Sequence, residues 1–129
     1  MGVIRSYRDV IAWQKAMELC VAVYRKTVRF PKEEVYGLTQ QMRRAAVSVA
    51  SNIAEGWGRG ATVEFLRYLR IARGSLCELE TQIQLAECLE YLSDNDVAEF
   101  SASTSECSKV MQGLIESLER KQAANETAR

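Results

Sequence analysis

Apolar residues recur at intervals of three and four over four long stretches, and each stretch predicts an amphipathic α-helix. The first runs from about residue 7 to 29 and aligns Val10, Trp13, Met17, Cys20 or Val21, Tyr24 and Val28. The second, 38–56, aligns Leu38, Met42, Ala45, Val49 and Ile53. The third, 62–91, aligns Phe65 or Leu66, Leu69, Ala72, Leu76, Leu79, Ile83, Ala86 and Leu89. The fourth, 94–120, aligns Val97, Phe100, Thr104, Cys107, Val110 or Met111, Leu114 and Leu118. The polar tail 121–129 is expected to be loose.

The breaks between stripes carry their own signals. Phe30-Pro31 ends the first helix, because proline pushes the residue before it out of the α region. Gly37 releases the chain into the second helix. The GWGRG turn at 56–60 is short, which favours an antiparallel hairpin of the second and third helices. Thr62 is the expected N-cap of the third helix, and Ser93 or Asp94 that of the fourth. Trp57 is expected to lid the bundle end, the alternative being a stacking platform beside Arg59. Together these elements predict an all-α, antiparallel up-down-up-down four-helix bundle in one domain over 1–129.

The second helix carries a further stripe that is polar: Gln41, Arg44, Ser48, Ser51 or Asn52, and Glu55. Small side chains in its middle let a neighbouring helix approach closely. The structural reading has Ser48 and Asn52 bonding across to that helix, with Arg44 and Glu55 closing ion pairs at either end. In antiparallel register Glu78 comes level with Arg44, so a buried or half-buried Arg44–Glu78 pair is expected. Arg67 with Glu55 is a second expected pair. The competing reading makes the stripe a binding surface.

Composition narrows the function. The chain has 129 residues, 47% apolar and 26% charged, which suits a single core. It has no apolar run long enough to span a bilayer and no signal-peptide core, so a cytoplasmic protein without a membrane partner is expected. Cys20, Cys77, Cys88 and Cys107 form no CxxC and are expected to be small buried thiols. Cys77 and Cys88, on one helix and about 16 Å apart, are too distant for a disulfide. The chain has no histidine. That removes Ser-His and Cys-His nucleophiles, two-histidine metal sites and an imidazole base. No enzyme, cofactor or metal is expected.

The net charge of zero conceals a split. Residues 1–73 hold 13 Lys/Arg against 6 Asp/Glu, and residues 74–129 hold 4 against 11. Either the basic part folds against the acidic part, or a basic face meets an anionic partner. Arg67, Arg70 and Arg73 lie toward a helix N-terminus, against the macrodipole, so helix stability does not explain them. With Arg59 they are the leading candidates for nucleic-acid contact. Arg25, Lys26 and Arg29 are secondary candidates, since cations near a helix C-terminus have a local reason to be there.

Three segments carry a family resemblance: FPKEEVYGL from Phe30, QMRRAAVSVASNIAEGWGR from Gln41 and IARGSLCELETQ from Ile71. The run from about Tyr7 to Leu92, and more loosely the fourth helix, resembles the small four-helix-bundle proteins encoded within intervening sequences of bacterial 23S rRNA genes. A similar bundle is the accessory protein of diversity-generating retroelements, which associates with a reverse transcriptase and nucleic acid. The resemblance implies a ring-like homopentamer, no known enzymatic activity and an association with RNA. It assigns Arg44, Ser48, Asn52, Glu55, Gly56, Gly74, Ser75 and Glu78 to the scaffold. Ala50 stands where many relatives have proline, so a straighter second helix is expected. The leading expectation is a non-catalytic oligomeric module that binds RNA or another nucleic acid through a basic surface. The alternative is a protein-interaction scaffold in which the basic part of one subunit meets the acidic fourth helix of the next.

Overall fold

The computed structural model describes residues 3–128, which form four α-helices and two single-turn 3-10 helices. The helices are α1 (Ile11–Thr27), α2 (Leu38–Gly58), α3 (Thr62–Cys88) and α4 (Asp94–Thr127). Cross-helix pairs run in opposite sequence order. Lys15 meets Glu106 while Lys26 meets Asp96; Arg70 meets Glu119 while Arg73 meets Gln112; Ser48 meets Ser75 while Arg59 meets Tyr68. The pairs α1/α4, α3/α4 and α2/α3 are therefore antiparallel. The helices touch in the cycle α1–α2–α3–α4–α1.

Several ends differ from the sequence expectation. The first helix is split: Tyr7–Asp9 is a 3-10 turn, closed by a capping box between Ser6 and Asp9, and extended Val10 separates it from α1. Thr62 does not cap α3; Ala61 occupies that position without a side-chain bond. α3 stops at Cys88 instead of Tyr91, on a non-glycine residue in the left-handed region, Glu90 with φ 62°. The Tyr91 N–H then donates to the Ala86 carbonyl at 2.9 Å, the six-to-one bond of a Schellman end. Ser93 caps α4, with Asp96 completing the box. The expected loose tail is helical to Thr127, because Lys121, Gln122, Ala123 and Ala124 are all good helix formers.

The stripes of α2 and α3 are buried as expected, apart from Leu89, which is exposed. α1 is different. Its core side is Ala12, Ala16, Leu19, Val23 and Thr27, whereas Met17, Val21, Tyr24 and Val28 are exposed. The chain has two apolar stripes on this helix, and the one with small alanines faces inward, where neighbouring helices come close. On α4, Ile115 joins the core beside Phe100, Cys107 and Met111. Trp57 packs half-buried against the core at the α2–α3 end, as a lid does.

The α2–α3 contact is the tightest. The Ser48 and Ser75 hydroxyls meet at 2.8 Å. A Cβ added at Gly56 would lie 2.6 Å from Tyr68 Cβ, so only glycine lets the helices sit at this distance. At the other end, Glu34 joins three segments. One carboxylate oxygen accepts the Leu38 N–H at 3.1 Å, and the other accepts the Tyr91 hydroxyl at 2.9 Å. Tyr91 also packs its ring on Phe30, centroids 5.3 Å apart.

Candidate nucleic-acid interface

The arginines singled out in the sequence are mostly spoken for. Arg59 donates to Glu55 at 3.1 Å and to the Tyr68 hydroxyl at 2.8 Å. Arg67 pairs with Glu64 at 3.1 Å, not with Glu55. Both guanidinium groups lie over the Tyr68 ring, at 5.2 and 4.7 Å from its centroid. Their pKa values are raised, first by the hydrogen bonds to Glu55 and to Glu64 respectively. Arg70 pairs with Glu119 at 3.0 Å, and Arg73 donates to Gln112 at 3.1 Å.

The second set sits elsewhere. Lys26 bridges Asp96 at 2.9 Å and Glu99 at 2.6 Å, and Arg29 reaches Asp96 at 3.4 Å. Arg25 is exposed and forms no ion pair among the described residues. Asp96 and Glu119 stand 23 residues apart on α4, or about 35 Å along its axis. The seven candidates thus form two groups near opposite ends of the bundle. Lys15, Lys26, Arg29 and Arg70 all meet acids of α4, so much of the charge split is matched within one chain.

The polar stripe of α2 is only partly the expected network. Ser48 bonds across to Ser75, but Asn52 donates to the Ser48 carbonyl and hydroxyl, within its own helix. Arg44 and Glu78 form no pair. Both are exposed, and Glu78 accepts from Gln82, one turn along α3. At the exposed surface water solvates both charges, so little drives them together.

A groove that the sequence reading did not anticipate lies between the C-terminal half of α1, the 28–37 connection and α2. It holds about 850 Å³. Its apolar lining includes Val28, Val35 and Val47, all exposed, and two tyrosines, Tyr24 and Tyr36, face it. Lys32, Arg43 and Arg44 line it, and no carboxylate does. Arg43 lies 4.7 Å over the Tyr24 ring and donates to Thr27 Oγ1 at 3.0 Å and to the Tyr24 carbonyl. Among the described residues none of the three cations forms an ion pair. Gln40, Ser51 and Asn52 add hydrogen-bonding groups. The signal was in the sequence: a second apolar stripe on α1 ending in Val28, followed by Val35-Tyr36 and the Arg43-Arg44 pair.

Other chemistry is sparse among the described residues. No three Cys, Asp or Glu side chains gather as metal ligands, and no helix is long and apolar enough to cross a membrane. All four cysteines are free. Cys107 is buried and Cys20 half-buried, but Cys77 and Cys88 are exposed on α3, contrary to the expectation of buried thiols.

The fold and these surfaces define an all-helical bundle with one groove lined by cations and no carboxylate. The chain belongs to the 23S rRNA-intervening sequence protein family, whose model matches residues 8–113. Among solved structures it is similar to a protein of unknown function from the S23 ribosomal protein family of Bacteroides thetaiotaomicron. That likeness has a TM-score of 0.75 and 20% identity, covers 82% of this chain and 96% of the other, and bears on the fold alone. A comparison with curated proteins finds no match.

Proposed function

We propose that this protein is a non-catalytic, oligomeric helical module of the cytoplasm, a homopentamer by family resemblance, that binds RNA or another nucleic acid through a basic surface. The observation that carries this reading is a face where Lys32, Arg43 and Arg44 stand together without a carboxylate among them. Phosphate is the natural counter-charge for such a face, and its neutralisation releases counterions. Membership of a family named for rRNA intervening sequences supports RNA as the first class to test.

The test is a salt titration of binding, using the purified assembly with generic RNA and DNA and with its mass measured by light scattering. Affinity is expected to fall steeply as salt rises. Affinity that stays flat from low to moderate salt would remove phosphate contact as the mode.

A second reading, the protein-interaction scaffold, draws on the exposed apolar residues Met17, Val21, Val28 and Val47. Its charge-based form has less support, because α4 already meets basic partners inside the same chain.

A further inference from the structure

We infer that the groove between α1, the 28–37 connection and α2 is the seat of a single nucleic-acid strand, and that the arginine clusters at the two ends of the bundle are not. The inference rests on the nucleic-acid reading and assigns it both a place and a substrate class.

The cations of the groove differ from most of the others in being free of carboxylates. Lys26, Arg29, Arg59, Arg67 and Arg70 each have a carboxylate within 4.0 Å, so phosphate would have to displace an existing partner. Among the described residues Lys32, Arg43 and Arg44 have no such competitor; Arg25 and Arg73 also lack one, but neither lines the groove. The nearby Glu34 has both oxygens engaged, by the Leu38 N–H and the Tyr91 hydroxyl.

Shape and chemistry then select a single strand. A duplex offers phosphates on its outside and keeps its base faces stacked, so it cannot use side chains lining a concave groove. An unstacked strand offers base faces to aromatic and apolar surface, base edges to amides, and phosphates to cations. The groove supplies all three. Tyr36 is 89% exposed and Val28 is 73% exposed, although both are apolar-bodied residues at its wall. Gln40 and Asn52 provide amides, and Lys32 and Arg44 provide cations.

The experiment measures binding of a short fluorescent oligouridylate and of an RNA duplex of the same length to the full-length assembly. Tyr36→Ala and Arg44→Glu are compared with an Arg67→Glu/Arg70→Glu variant, with melting curves and light-scattering mass for each. Tyr36 and Arg44 are exposed, so neither change removes a core contact. The single strand is expected to bind more tightly than the duplex. Tyr36→Ala is expected to lose about tenfold, the usual scale for one stacked base. Arg44→Glu loses at least as much, and the Arg67/Arg70 variant stays near wild type. Preference for the duplex, or loss only in the Arg67/Arg70 variant, would overturn the groove assignment while leaving nucleic-acid binding standing. Dissociation of the assembly by Tyr36→Ala would assign the groove to a second copy of the chain and equally overturn it. An intact wild-type assembly that binds no nucleic acid removes the functional reading and this inference together.

Discussion

Lys26 Nζ lies 2.9 Å from Asp96 Oδ1, and this contact ties the end of α1 to the first turn of α4. Asp96 is the better buried partner, at 7% exposure, and it also accepts the Ser93 N–H at 3.2 Å. The Lys26 ammonium first, and then the Ser93 N–H, hold its carboxyl down at about 2.

Acid should therefore expose the contribution of Asp96. Its folded pKa lies below the unfolded one, so the stabilisation is fully present above about pH 4. It is lost as pH falls toward the folded value of about 2. Urea midpoints of wild type and Asp96→Asn should differ at neutral pH and converge across that window. A gap that stays constant down to the lowest pH would show that the charge of Asp96 contributes nothing.

Two glycines of the family motifs should respond in opposite ways to alanine. At Gly56 the new methyl meets Tyr68 Cβ at 2.6 Å, an atom fixed to the α3 backbone, so the helices must move apart. Overpacking of this kind costs about 1–3 kcal/mol, partly offset by a helix-propensity gain of about 1 kcal/mol. At Gly74 the methyl meets nothing within 4 Å, so Gly74→Ala should stabilise by about 0.5–1 kcal/mol. Thermal melts of the two variants decide it, and equal shifts would contradict the packing described.

Core and surface of the α2–α3 hairpin should be equally distinct. Leu69 is fully buried, and Leu69→Ala should cost about 2–5 kcal/mol. Among the described residues Glu55 pairs only with Arg59 one turn away, both half-exposed, so Glu55→Ala should leave the melt essentially unchanged. A large loss from Glu55→Ala would mean that its pairing reaches beyond its own helix.

Thiol labelling at neutral pH should separate the cysteines. Cys77 and Cys88 are exposed and should react promptly in the native protein. Cys107 is fully buried, and burial, with Glu106 and Glu80 adding to it, pushes its thiol up to about 11. It should react only on unfolding. Prompt native labelling of Cys107 would place it outside the core.

Most of the fold was legible because α2 and α3 each have one dominant apolar stripe. α1 has two, so its periodicity alone does not say which one is buried. Periodicity ranks stripes by hydrophobic bulk, and Met17, Val21, Tyr24 and Val28 outrank Ala12 and Ala16; packing instead places the smaller residues where helices approach. The end of α4 is polar without being loose, because Lys121 to Ala124 favour helix. The polar pairs were the least legible. Spacing puts Arg44 level with Glu78, but side-chain direction and solvation decide whether they meet. The groove escaped notice because its walls come from three segments, none unusual alone.

The end of α3 has a consequence for cooperativity. Glu90 adopts a left-handed turn that its own side chain disfavours, with no glycine there to ease it. The local bond from the Tyr91 N–H to the Ala86 carbonyl closes the turn, and remote contacts brace it: the Tyr91 ring packs on Phe30 and its hydroxyl bonds Glu34, near the start of α2. An excised peptide spanning α3 and α4 lacks those partners and should lose the corner while keeping helical segments. The corner of the second hairpin thus draws part of its support from the first, which couples the two halves of the bundle at this end.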